Sequence, residues 1–267
     1  MKDYRNRYPF RIGTTSYILH QAPDEEEDSL TANVKYLKDS FDKIQLLLFG
    51  KDYLDDVAPP AVIENLFFIK ELIPLIYTVH LPIDLFLLDG GMSGLENSIG
   101  LIGKIMEMTE TLNIEEYILH IDHGPAGNSA NGPCDCERYG IILEKLSERL
   151  GDKAAQIYIE NTRCDLSKYK DIILKSSHPV CMDLGHLYIN GFDTGSFILN
   201  FRDRIREVHM HGCSKGKDHI SLLQSDREYL DSPIIMEFLR SFKHSVIMEV
   251  FNEKDLAESM EYLDKII

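Results

Sequence analysis

The chain has ten histidines. His80, His120, His186, His209, His211 and His219 stand at, or just beyond, the ends of apolar runs of strand length. Carboxylates occupy equivalent places: Glu160 in the run 156–161, Asp183 directly after 179–182, and Glu249 within 245–251. Imidazole and carboxylate are both ligands of divalent metal ions, and a carboxylate buried at a strand end is costly unless it is paired or metal-bound. The pattern predicts a metal centre drawn from His80, His120, Glu160, Asp183, His186, His209, His219 and Glu249. Mixed imidazole and carboxylate ligation suits Zn²⁺, Mn²⁺ or Fe²⁺ better than Mg²⁺ or Ca²⁺. This set exceeds the needs of one ion, so two or more are expected, with Glu160 on a central strand as the bridge.

Each residue taken alone also has a plainer role. His80 beside Pro82 could be a hydrogen-bonded rim histidine, Glu160 and Glu249 could be salt-bridged, and Asp183 could cap the helix that follows it. It is their convergence on strand ends that points to a common mouth. His123, in a stretch rich in Gly and Pro at 123–133, is a candidate substrate contact, as is His211. Lys215 and Lys217 flank Gly216 beyond the seventh strand and could meet a phosphate as point charges. His20, His178 and His244 fall outside the pattern and read as surface or loop groups.

The elements that must position these groups alternate. Strand-like runs cover 10–18, 44–49, 76–82, 116–122, 156–161, 179–182, 206–212 and 245–251. Apolar residues recur at helical spacing between them, as in Leu30, Val34, Leu37 and Phe41, or Val62, Leu66, Ile69 and Leu72 behind Pro59-Pro60. Further helices are expected over 95–112, 142–150, 166–173, 197–205, 234–242 and 256–267. The acidic run 24–28 should just precede a helix, where negative charge is favoured. Apolar strands with little alternation suit a parallel sheet buried on both faces. Eight strand–helix units without a linker predict a single (β/α)₈ TIM barrel over residues 1–267, with a doubly wound open sheet as the competing architecture.

Composition narrows the partners. Apolar residues make up 44% of the chain, enough for a sizeable core, and the formal charge is −16 from 44 acidic and 28 basic residues. Neutralising phosphates along a duplex needs Lys and Arg, so a general nucleic-acid binder is disfavoured. No segment approaches the roughly 18 apolar residues of a membrane span, and the start lacks an apolar signal core, so a cytoplasmic protein acting on a small molecule is expected. Five scattered cysteines, including the Cys134/Cys136 pair, do not form a disulfide framework or a zinc-ribbon spacing.

Val79-His80-Leu81-Pro82, Leu119-His120, Glu160-Asn161-Thr162, Met182-Asp183-Leu184-Gly185-His186, Val208-His209-Met210-His211 and Met248-Glu249 resemble, in this order, the motifs of xylose-isomerase-like barrels. That superfamily includes AP endonucleases of the endonuclease IV type and many sugar isomerases and epimerases. Likeness to the endonucleases implies one ion held by His80, His120 and Glu160. It implies a second held by Glu160, Asp183, His209 and Glu249, and a third by His186 and His219. The chain departs from them at the third ion, where Asp-x-His is replaced by Lys217-Asp218-His219; with the charge of −16, this weighs against abasic-DNA cleavage. Likeness to the epimerases implies that Glu160 and Glu249 flank a sugar carbon as acid and base. An epimerase would add an arginine beyond the His209 strand, where this chain offers Lys215 and Lys217.

A narrower resemblance lies in Arg11 to Ile18, Leu46-Leu47-Leu48-Phe49, His80-Leu81-Pro82, Cys181 to His186, Asp218-His219 and Glu249-Val250-Phe251. Together these are similar to the bacterial cobamide-remodelling hydrolases, which open the nucleotide loop of corrinoid cofactors to release cobinamide phosphate and a riboside. The resemblance implies a metal-dependent hydrolase acting at a phosphoribosyl linkage, with Glu160, Glu249 and His186 as catalytic residues. A sugar or sugar-phosphate isomerase or epimerase is the alternative. A barrel that binds a corrinoid or a sugar without catalysis is a third.

Overall fold

Described in a computed structural model are residues 1–20, 28–48, 50, 59–89, 91–123 and 135–267. The strands, in chain order, are β1 (Arg11–Thr15), β2 (Lys43–Leu47), β3 (Ile76–His80), β4 (Tyr117–His120), β5 (Ile157–Glu160), β6 (Val180–Asp183), β7 (Ile205–Met210), β8 (Gly212–Ser214), β9 (Lys217–Ile220) and β10 (Ser245–Met248). Eight of them close into a parallel barrel in the order β1-β10-β7-β6-β5-β4-β3-β2. Because β1 pairs with both β10 and β2, the sheet has no edge, and the open doubly wound alternative is excluded. The fold is a (β/α)₈ barrel.

The helices are α1 (Ser29–Leu37), α2 (Pro60–Leu72), α3 (Met92–Met108), α4 (Cys136–Leu150), α5 (Lys170–Lys175), α6 (Leu184–Ile189), α7 (Thr194–Phe201), α8 (Arg227–Leu230), α9 (Pro233–Ser241) and α10 (Glu253–Ile266). Their starts are written in the sequence. Asp28, Asp135, Asp183, Asp193 and Asn252 each accept a hydrogen bond from a first-turn amide. Pro60 opens α2, where a missing N–H costs nothing. Most of the acidic run 24–28 and of the stretch 123–133 lies outside the described residues, as does Cys134.

The strands alternate more than their apolar character suggests. One set of side chains, including Ile12, Ile44, Leu46, Tyr77, Val79, Leu119, Ile159, Met182 and Val208, packs with the helices in the main hydrophobic core. The other set points into the barrel, where Ile118, Tyr158 and Cys181 make only a small apolar cluster. Other inward positions are polar, and Lys43, Gln45, Glu160, Asp183, Glu207 and His209 are all buried there, beside the apolar Leu47 and Ile247. Gly13 on β1 clears room for them, because a Cβ there would lie 2.5 Å from Ile247 and 2.8 Å from the Lys43 side chain.

Local differences from the sequence expectation have simple causes. The helix expected over 197–205 stops at Phe201, since Ile205 already begins β7. The loop expected after β7 is a hairpin: Ser214 pairs with Lys217 across Lys215-Gly216, both at positive φ as a tight two-residue turn requires. His178 is in a loop but wholly buried, with its Nδ1 3.2 Å from the Ile157 carbonyl. Cys164, Cys181 and Cys213 are free thiols. No described helix is long and apolar enough to cross a membrane.

Candidate metal centre

Parallel register brings the strand ends level. His120 lies beside Glu160, and Asp183 beside His209. Glu160 is the hub: its Oε2 is 2.9 Å from His120 Nε2 and 3.3 Å from His80 Nε2, while Oε1 is 3.0 Å from His209 Nδ1. Glu249, one residue past β10, places Oε2 3.2 Å from His209 Nδ1 and 3.9 Å from His219 Nδ1. His186, at the start of α6, has Nδ1 3.6 Å from Asp183 Oδ2.

Asp183 caps the helix that follows it and keeps a second oxygen for the mouth. Its Oδ1 caps α6, accepting the His186 amide at 2.6 Å. Its Oδ2 faces the mouth, buried and without a hydrogen-bond partner among the described residues. Asn161 holds the strand end in place, donating to the Asp183 carbonyl at 2.8 Å and accepting the Asp183 amide at 2.9 Å.

The imidazoles are aimed by the backbone. His80, His186 and His219 each direct Nδ1 at a carbonyl, of Leu81 at 2.8 Å, Asn161 at 3.3 Å and Glu249 at 3.1 Å. That contact draws the ring proton to Nδ1 and leaves the Nε2 lone pair for an electrophile.

Electrostatics point the same way. Burial pushes the Glu160 carboxyl up, but His209 and His120 outweigh it and hold it well below the usual range. Glu249 follows the same pattern through His209, and Asp183 is lowered, against burial, by His186 and His211. In return, burial disfavours charge on His120, yet Glu160 raises it to about 9. His209 rises well above its ordinary value against burial, under the pull of Cys181, Glu160 and Glu249. His219 moves the other way, lowered by burial. Three buried carboxylates thus stay ionised by forcing protons onto neighbouring rings, which is the work divalent cations do in such a site.

The donor atoms fit metal ions. Among the described residues, four groups each bring ligand atoms within 4.8 Å of one another: three share Glu160, namely Glu160, Asp183, His209 and Glu249; His80, His120 and Glu160; and Glu160, Cys181 and His209; the fourth, His186, His211 and His219, stands apart. Glu249 Oε2, like Asp183 Oδ2, is buried without a hydrogen bond.

The residues expected on the substrate side separate. His123 lines the mouth and lies 2.7 Å from Asp89. Lys215 and Lys217 are exposed on the hairpin turn and do not line the cavity. His211 is fully buried beneath it, with Nδ1 accepting the His219 amide at 2.9 Å and Nε2 3.3 Å from Asp183. Gly185 makes that placement possible, because a Cβ there would stand 2.2 Å from the His211 ring. Sequence reasoning missed Arg163, which lines the cavity just past the Glu160-Asn161-Thr162 run. It also missed Glu207, which touches His209 from below. The cavity is about 660 Å³, and Leu47, Leu48, Ile83, Phe86 and Phe251 form its apolar walls.

No family model matches the chain, and no curated protein does. Solved structures match along nearly all of it. A D-tagatose 3-epimerase-like protein has a TM-score of 0.75 at 18% identity, covering 96% of this chain and 97% of its own. The IOLI protein with a binding zinc atom has a TM-score of 0.72 at 14% identity, covering 96% and 98%. Endonuclease IV from Thermus thermophilus has a TM-score of 0.63 at 18% identity, covering 96% and 99%. At these identities the likeness is one of fold, a (β/α)₈ barrel.

Proposed function

We propose that the chain is a metal-dependent hydrolase of a phosphate ester, and that its substrate is the nucleotide loop of a cobamide. Cleavage at the phosphoribosyl linkage would leave cobinamide phosphate and a riboside. The observation that carries metal-dependent hydrolysis is the surplus of ligand-type groups, three sets that share Glu160 and a separate fourth, where one ion needs a single set. The cobamide rests on the resemblance of Arg11 to Ile18, Cys181 to His186 and Glu249-Val250-Phe251 to the cobamide-remodelling hydrolases. A cavity of about 660 Å³ with apolar walls has room for a large ligand with an apolar face.

In this reading His80, His120 and Glu160 hold one ion, Glu160, Asp183, His209 and Glu249 a second, and His186 with His219 a third, the metal being zinc, manganese or iron. Such ions polarise a phosphoryl oxygen, ready water for attack near neutral pH and offset developing charge. Glu160 ties the first two sets together. His186 lines the cavity and can orient the attacking water, and Arg163 presents a guanidinium to an anionic oxygen of the substrate. The apolar walls exclude bulk water.

Purified protein incubated with an adenosylated cobamide and Zn²⁺ or Mn²⁺ should yield cobinamide phosphate; no such product with any of several metals removes the cobamide as substrate. A sugar or sugar-phosphate isomerase or epimerase is the second reading. It is favoured by the group of Glu160, Asp183, His209 and Glu249, which could by itself hold one ion between two glutamates. That reading requires solvent deuterium at a substrate carbon, which hydrolysis does not produce.

A further inference from the structure

Below the mouth, the barrel interior holds a second charged cluster that the proposed chemistry does not use. Lys43, Gln45 and Glu207 are wholly buried and Glu116 nearly so, although they come from different parts of the chain. Lys43 Nζ pairs with Glu116, donates to Ser245 Oγ at 2.6 Å and lies 3.4 Å from Glu207 Oε2. Gln45 Nε2 donates to Glu207 Oε1 at 2.9 Å. Glu207 is therefore an anchored carboxylate, held on one oxygen by a cation and on the other by an amide.

Its Oε1 also lies 3.2 Å from His209 Nε2, on the side of the ring that faces away from the mouth. The other ring nitrogen, Nδ1, faces Glu160 Oε1 at 3.0 Å and Glu249 Oε2 at 3.2 Å. A neutral imidazole has one proton to place. The Gln45 amide, 3.0 Å from Nε2, could instead donate to that nitrogen and send the proton to Nδ1. An ionised carboxylate is the stronger partner for a ring N–H, and this one keeps its charge because Lys43 neutralises it.

We infer that Glu207 is a positioning residue: anchored by Lys43 and Gln45 on the barrel floor, it takes the Nε2–H of His209 and so turns the Nδ1 lone pair into the mouth. This rests on the metal-dependent reading above, since the freed lone pair is what a divalent ion would use. Carboxylates behind metal-binding histidines fix the tautomer and raise ligand basicity, and their loss weakens metal affinity about 10- to 100-fold.

The test uses Zn²⁺ alone as the probe. Titration calorimetry with full-length wild type, Glu207→Gln and Gln45→Met should show the glutamine variant weakened about 10- to 100-fold with the number of ions unchanged. The methionine variant, which removes one anchor and leaves Lys43, should lose less than the glutamine variant, and an equal or larger loss overturns the inference. Lys43 keeps Glu116 and Ser245 in Glu207→Gln, so a fold can persist. A second arm needs no variant: ¹⁵N-histidine spectra of the zinc-loaded wild type should show His209 protonated at Nε2 and not at Nδ1. A proton on Nδ1, or a Glu207→Gln affinity within about twofold of wild type, overturns the inference while leaving the metal centre standing. A wild type that takes up no Zn²⁺ overturns both.

Discussion

Two clusters of buried charge sit one above the other in this barrel, and they are balanced differently. On the floor, Glu116 and Glu207 share Lys43, a cation the chain itself supplies. Burial, and then repulsion from Glu207, pushes Glu116 up to about 7, so near neutrality it readily takes a proton while Glu207 remains ionised against Lys43. At the mouth, the groups among the described residues that carry charge against Glu160, Asp183 and Glu249 are imidazoles, and those rings must hold protons for the carboxylates to stay charged. A protein-supplied cation is permanent, whereas a proton on a ring can be exchanged for a metal ion. The floor is held by a charge of the chain's own, and the mouth offers a candidate cation site.

The largest effect expected from breaking this contrast is at Glu160. Glu160→Gln removes the oxygen charge shared by two ligand sets and should lower turnover on the order of 10³-fold, read as cobinamide phosphate release with saturating metal. Lys43→Met strikes the floor instead. Leaving Glu207 and Glu116 without their cation should cost about 3–5 kcal/mol in urea unfolding with a chelator present, and more with metal bound, because Glu207 also orients His209. A loss that vanished on chelation would merge the two regions into one.

Acidity sharpens the comparison. The folded value of about 9 for His120 lies above its ordinary value of 6.5. Its charged form therefore stabilises the metal-free protein fully below pH 6.5, and this contribution fades as pH rises through about 9. Zinc must displace that proton, so its apparent affinity should climb about tenfold per pH unit across the same window. A flat profile would mean that His120 is not a ligand. The smallest effect belongs to Lys215→Ala and Lys217→Ala, both on the exposed hairpin turn, whose kcat/KM should stay within about twofold of wild type.

The mouth was the more legible of the two in sequence, for a physical reason. A carboxylate or imidazole that ends an apolar run, as at Leu119-His120 or Met182-Asp183, has no cheap fate except pairing, so its type and place carry information. The floor was hidden because its residues look ordinary: Lys43 reads as a solvated strand start and Gln45 as a blemish in an apolar run. Their partners lie far away along the chain, at Glu116 and Glu207. His211 was named as a substrate contact, but its burial was hidden similarly. Nothing local shows that Gly185 gives up a side chain for its ring, or that a hairpin returns the His219 amide to its Nδ1. Asp183 was legible as a cap, and capping engages one oxygen while the other has no hydrogen-bond partner among the described residues.

Elemental analysis of the protein purified without added metal, paired with Glu160→Gln prepared in the same way, bears most directly on the mouth as a cation site. The account predicts two or more divalent ions per wild-type chain and a clear loss in the variant. A single ion per chain, or none, or a content indifferent to Glu160, would contradict it.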